Sequence, residues 1–258
     1  MTDLLHEQKI LILDFGSQYT QNIARKIREC EVYCEIHPCT VTVDKISKFK
    51  PKGIILSGGP ASVLDADSYL YDPKLFELGI PVLGICYGMQ LITHLLGGEV
   101  HPSEHREFGR AELMLKEFSH LFEGVKNNST VWMSHGDRIS KLPKQFKPIA
   151  FTGNSPVAAI EKTIAHIYGL QFHPEVTHTP EGVEILKSFI LDMKLASAVD
   201  CVNTEVKLLK HQDTGHEFSI EVLGDPYDVL MDFSRVQQVL KNIYSNSVKY
   251  SESDCKIS

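Results

Sequence analysis

The chain has no apolar run approaching the ~20 residues that a membrane-crossing helix needs. The first apolar stretch, Ile10–Leu13, stops at Asp14. The opening residues, Met1-Thr-Asp-Leu-Leu-His-Glu-Gln-Lys-Ile10, lack both the basic start and the apolar core of a secretion signal. Positive charge is also short. There are 26 Lys and Arg against 33 Asp and Glu, a net charge of -7, which argues against a nucleic-acid partner. No CxxC pair occurs among Cys30, Cys34, Cys39, Cys86, Cys201 and Cys255, so a metal site is not expected from cysteine spacing. These residues read instead as reduced thiols, most of them small buried or half-buried side chains. Internal repeats and low-complexity segments are missing too. What remains is an ordinary composition, 43% hydrophobic and 23% charged, over 258 residues. That length suits one α/β domain of about 200 residues and a short second unit. The expectation is a soluble cytoplasmic protein without a membrane or nucleic-acid partner.

Apolar strands alternate with helical stretches through the first hundred residues. Lys9–Asp14, Val32–Ile36, Gly53–Ser57 and Pro81–Ile85 read as strands. Between them, Ile23 and Ile27 share one helical face, Val43–Phe49 suits a short helix, and Asp72–Leu78 reads as helical. Gly88–Leu96 reads as a helix with Gly97 and Gly98 past its end. Strands apolar throughout belong to a parallel sheet covered on both faces. The predicted fold is therefore α/β, an open, mostly parallel twisted sheet with helices on both faces. From Glu99 to Leu170 the strands shorten: Arg110–Leu115, Thr130–Met133, Ile149–Phe151, Ala158–Glu161 and Ile164–Leu170. They either extend the sheet or form a smaller antiparallel layer. Pro180–Met193 closes this part as a helix with Val183, Leu186, Phe189 and Ile190 on one side.

Gly84-Ile-Cys-Tyr-Gly88 has the form G-x-C-x-G between an apolar strand and a helix. A nucleophile elbow needs that context. It would put the Cys86 sulfur at a strand tip, facing a helix N-terminus that favours a thiolate. A buried structural cysteine at a strand-to-helix turn would look the same. A nucleophilic cysteine also needs a base and a group that orients it. Of twelve histidines, His173 stands out, in Gln171-Phe-His-Pro-Glu175 just after a strand, where open α/β sheets keep their sites. On an extended chain, Glu175 falls on the same side as His173 and can hold the imidazole tautomer. A surface loop with a local ion pair is the plain alternative. Gly58-Gly59-Pro60 follows the third strand, and the backbone N–H groups of Gly59 and Tyr87 make a natural oxyanion pair. A simple glycine turn is again the alternative.

Five phrases occur in order: Ile12-Leu-Asp-Phe-Gly-Ser-Gln-Tyr19, Leu56-Ser-Gly-Gly-Pro60, Gly84-Ile-Cys-Tyr-Gly-Met-Gln90, Trp132-Met-Ser-His-Gly-Asp137 and Gly169-Leu-Gln-Phe-His-Pro-Glu-Val-Thr-His-Thr-Pro-Glu-Gly182. Together they resemble the glutaminase domain of GMP synthase, a class I glutamine amidotransferase with a flavodoxin-like fold. The resemblance covers residues 9–194, and the domain division it implies is 1–194 and 195–258. It implies a triad of Cys86, His173 and Glu175, and an oxyanion hole from Gly59 and Tyr87. It also implies a glutamine site from Gly58, Gln90 and the Ser134-His135-Gly136-Asp137 loop. Gln90 lies one helical turn past Cys86 and offers both a donor and an acceptor. Glutamine hydrolysis needs no cofactor. The ATP and magnesium of GMP synthesis belong to an ATP-pyrophosphatase part with a Ser-Gly-Gly-Val-Asp-Ser loop, which these residues do not contain. That part is the implied partner in trans.

After Met193 the resemblance changes. Val229–Ser251, preceded by a strand around His216–Glu221, resembles the N-box of a sensor histidine kinase ATP-binding domain. There Asn246 would correspond to a magnesium ligand and Lys249 to a residue near phosphate. The glycine-rich boxes of such a domain are absent, and half an ATP site cannot close round a nucleotide. The expectation is a small, incomplete α/β fragment of about 60 residues, near the lower limit for a core of its own. Two other functions remain open on sequence. One is a cysteine hydrolase of peptides or other γ-glutamyl compounds, against which Gln90 and the Ser134–Asp137 segment argue. The other is a signalling or interaction module built on the kinase-like tail.

Overall fold

In a computed structural model of the protein, the described residues are 9–193 and two short strands, Glu217–Phe218 and Lys256–Ile257. The chain divides into two units, Met1–Met193 and Lys194–Ser258. In the second, the two short strands pair in parallel. The kinase-like stretch with Asn246 and Lys249 lies outside the described residues.

Strands β1 (Lys9–Asp14), β2 (Tyr33–Pro38), β3 (Gly53–Leu56), β4 (Val82–Ile85) and β9 (Ile167–Leu170) form a parallel block in the order β2-β1-β3-β4-β9. Alternate residues face opposite ways along a strand. Ile10 and Ile12 therefore pack with Ile23, Ala24 and Ile27 of helix α1 (Thr20–Glu29), and with Ile185, Leu186 and Phe189 of helix α4, which spans 182–193. Leu11 and Leu13 pack on the other face with Ile46 of helix α2 (Val43–Phe49) and with Met89, Leu91 and Ile92 of helix α3 (Tyr87–Leu95). Both faces of β1, β3, β4 and β9 are covered, which is why these four strands carry no polar alternation. Among the described residues no helix is long and apolar enough to cross a membrane.

The strands between residues 99 and 162 extend the same sheet as an antiparallel half. Beyond β9 come β8 (Ala159–Lys162), β7 (Lys147–Phe151), β5 (Glu99–Leu115) and β6 (Ser129–Lys141). β5 and β6 form a hairpin much longer than the short strands expected, because pairing continues past a register shift between Pro102 and Glu107. Its polar residues hide it from a reading based on hydrophobicity. Two further expectations need correction. Asp72–Leu78 holds only a 3-10 turn, Pro73–Glu77, which the Asp72 side chain caps by accepting from the Lys74 N–H. Ile164–Leu170 is not one strand. A 3-10 turn at Thr163–Ala165 and a left-handed His166 (φ 51°) precede β9.

Candidate active site

β2 and β3 flank β1 on opposite sides, so the direction of sheet growth reverses there. Ligand sites of open α/β sheets form at carboxyl ends near such a point. The carboxyl ends of β1, β3, β4 and β9 deliver the Asp14–Tyr19 turn, Gly58 and Gly59, Cys86, and His173 with Glu175.

Cys86 is the N-cap of α3, with φ 53° and ψ -105°. A side chain in that region costs of order 1–3 kcal/mol and persists only where neighbours enforce it. Here the Cys86 N–H donates to the Leu170 carbonyl at 2.6 Å, tying the turn to the end of β9. The thiol is buried and donates to the Ser134 carbonyl at 3.3 Å.

β6 holds the segment after β9. The His173 N–H donates to the Trp132 carbonyl at 3.0 Å. The Thr179 hydroxyl accepts from the Trp132 N–H at 3.0 Å and donates to the His173 carbonyl at 2.7 Å. On that frame, His173 Nδ1 sits 2.8 Å from Glu175 Oε1. With Nδ1 committed to the carboxylate, the other ring nitrogen is left for Cys86. Burial works against charge on the imidazole. The hydrogen bonds to Cys86 and Glu175 outweigh it and raise the His173 pKa to about 10. Glu175 is buried, and its Oε2 has no hydrogen-bond partner among the described residues. The Tyr19 ring meets the imidazole edge-on, 5.1 Å between centroids.

Gly58 lies between nucleophile and base. A Cβ there would sit 3.3 Å from His173 Cε1 and 3.7 Å from Cys86 Cβ. Gly59 must stay bare for another reason: its Cβ would come 2.7 Å from the Phe15 carbonyl oxygen. Ser57 fixes this turn, accepting from the Phe15 N–H at 2.9 Å and donating to the Gly58 carbonyl at 2.8 Å. Tyr87 opens α3, so its N–H has no partner within the helix. Its side chain is anchored away from the site, donating to the Tyr69 carbonyl at 3.0 Å.

Ser134, His135, Gly136 and Asp137 lie within β6, not in a loop. They follow the bridge that joins Met133 to Phe172, so this strand crosses the tip of β9 and brings the Ser134 carbonyl to Cys86. His135 is turned inward. One ring nitrogen faces the Asp137 carbonyl at 2.9 Å, and the other faces Ser155 Oγ at 3.2 Å and Glu107 at 3.5 Å. Burial lowers its pKa against the pull of those partners. Glu107 also accepts from Ser155 at 2.8 Å and from Thr152 at 3.0 Å. Both nitrogens of His135 thus face partners inside the protein. Gln90 Nε2 donates to the Asp137 carbonyl and to Gln171 Oε1, each at 3.4 Å.

Nothing in the sequence by itself marks the contacts of Gln171, Thr179, Tyr19 or the cluster of Glu107, Thr152 and Ser155. The first three lie in the phrases quoted above, so their place is legible and their contacts are not. Cys30, Cys34 and Cys39 are free thiols, and no group of three or more candidate metal ligands occurs among the described residues.

The family model for glutamine amidotransferase class-I matches residues 11–193. A GMP synthase [glutamine-hydrolyzing] of Acetivibrio thermocellus is 50% identical over 203 residues, 76% of this chain and 40% of that protein. One from Wolinella succinogenes is 54% identical over 196 residues, 74% of this chain and 38% of that protein. The chain thus spans about two fifths of the length of these curated relatives. Among solved structures, a candidate GMP synthase subunit from Thermoplasma acidophilum is 30% identical, with a TM-score of 0.69 over 76% of this chain and 98% of that one. A glutamine amidotransferase from Thermotoga maritima, 19% identical with a TM-score of 0.56 over 95% of this chain and 100% of that one, shares the fold. With the family matched across the described domain, this chain belongs to the class-I glutamine amidotransferases.

Proposed function

We propose that the chain hydrolyses glutamine to glutamate and ammonia with Cys86 as nucleophile, His173 as base and Glu175 as the group that orients it. One observation carries the reading. Neighbouring strand ends bring a strained, buried thiol to an imidazole whose far nitrogen is held 2.8 Å from a buried carboxylate. His173 takes the Cys86 proton, and the thiolate attacks the side-chain amide of glutamine. The developing oxyanion rests on the N–H groups of Gly59 and Tyr87. His173 protonates the departing ammonia, then activates the water that cleaves the γ-glutamyl thioester. Gly58, Gln90 and the Ser134–Asp137 segment shape the pocket for the amino-acid end of glutamine.

The ammonia would serve XMP-to-GMP conversion by a separate ATP-pyrophosphatase partner in trans. The length of the curated relatives and the likeness to the Thermoplasma acidophilum protein support this. ATP and magnesium belong to that partner, and the glutaminase step uses no cofactor of its own. A reducing cytoplasm suits a site that depends on a free thiol. The test is glutamate release from glutamine, with and without the ATP-pyrophosphatase part of a GMP synthase. The expected result is activity that this partner raises and Cys86→Ala abolishes. Full activity in Cys86→Ala would overturn the assignment.

A further inference from the structure

Gln171 is the residue beside Cys86 in the sheet. β4 and β9 pair Gly84 with Gly169 and Ile85 with Leu170, so the next step along both chains sets Cys86 against Gln171. Its side chain is fully buried and lies between two partners. Nε2 donates to the Cys86 sulfur at 3.7 Å, and Oε1 accepts from Gln90 Nε2. Gln90 also donates to the Asp137 carbonyl. A primary amide has two N–H donors on one end and only an acceptor on the other. The Asp137 carbonyl can only accept, which fixes which end of Gln90 faces it. Gln90 then donates to Gln171, and Gln171 must turn its own donor end to the sulfur. The chain of amides has one direction, and it ends in an N–H aimed at the nucleophile.

Ser134 acts on the same sulfur in the opposite sense. Its carbonyl accepts from the thiol and so favours the protonated form. A donor favours the charged form. We propose that Gln171 is a further residue of the glutaminase reaction, whose amide N–H holds the Cys86 thiolate before attack and between the two half-reactions. The proposal rests on the assignment of Cys86 as nucleophile. It also gives Gln90 a second role, since besides facing the glutamine pocket it orients the donor on the sulfur.

The thiolate can be read without glutamine. Alkylation of Cys86 by iodoacetamide, followed across pH by mass spectrometry of the Cys86 peptide, reports its ionisation separately from that of the other cysteines. In Gln171→Met, which keeps length but has no donor, the alkylation midpoint is expected to rise by about one pH unit, the scale of one hydrogen bond to a charged group. Gln90→Met, which leaves the Gln171 donor in place but unoriented, is expected to shift it less. An unchanged midpoint in Gln171→Met overturns the proposal, even if glutamate release falls. If Gln171→Met does not fold, Gln171→Leu carries the same test. It also lacks the donor and adds no charge beside the sulfur, so a wild-type midpoint there also overturns the proposal. A raised midpoint in a chain that hydrolyses no glutamine, even with the partner, would remove the proposed function and leave only the hydrogen bond from Gln171 to the sulfur. Glutamine hydrolysis with no shift would keep the proposed function and overturn the role of Gln171.

Discussion

His173 Nδ1 lies 2.8 Å from Glu175 Oε1, and both side chains are buried on the segment that follows β9. One residue, Pro174, separates them. A turn begins at Pro174 and carries Glu175 back to the imidazole, and the hydroxyl of Thr179 holds the carbonyl of His173 in place. The carboxylate can only accept, so it decides that Nδ1 carries the proton donated to Glu175 and leaves the other ring nitrogen for the thiol.

Replacing the carboxylate by an amide of the same shape removes that decision. Glu175→Gln is expected to lower kcat for glutamate release by roughly 10⁴-fold, with a much smaller change in KM, since the role proposed for the pair is on the reacting atoms and not in substrate binding. Steady-state kinetics on the folded variant checks it. A kcat within a few-fold of wild type would show that Glu175 does not set the tautomer.

The same pair ties stability to pH. His173 has an ordinary pKa of 6.5 and one raised to about 10 in the folded protein, so the folded state binds its proton more tightly. That contribution is complete below pH 6.5, declines as pH rises and is lost above about 10. Urea unfolding at a series of pH values across this interval should show falling stability in the wild type and a flatter dependence in His173→Gln. Equal slopes in the two proteins would remove the linkage.

Gly59 carries a steric requirement as well as a proposed chemical one. Gly59→Ala places a methyl group 2.7 Å from the Phe15 carbonyl oxygen, so the turn must move and its N–H with it. Loss of one oxyanion donor typically costs about 10²–10³-fold in kcat. A fall of that size is expected, with Cys86 still alkylated by iodoacetamide at its normal rate. A drop in alkylation of the same size would place the damage at the thiol.

Much of the parallel half was legible because its strands have one environment. Ile10 to Leu13 meet apolar side chains on both faces, so a plain hydrophobic run marks the strand, and Gly84 and Gly88 mark the turn after β4. β5 and β6 were read as fragments because their order comes from pairing with each other, across a register shift, through residues such as Glu107 and His135 that look like loop residues. The same cause hid the site's third wall. Ser134 was placed in a binding loop, yet it is the pairing of β6 with the end of β9 at Met133 and Phe172 that sets its carbonyl on Cys86.

By itself, the order of residues determined that a cysteine follows an apolar strand and precedes a helix, and that a histidine and a glutamate stand two apart after another strand. These are local facts, set by hydrophobic runs and turn residues. Tertiary structure alone decided that β9 lies beside β4 although long stretches of chain separate them. Strand adjacency is a matter of which faces can be buried together, and nothing local encodes it. That one placement brings His173 to Cys86 and sets Gln171 against the sulfur.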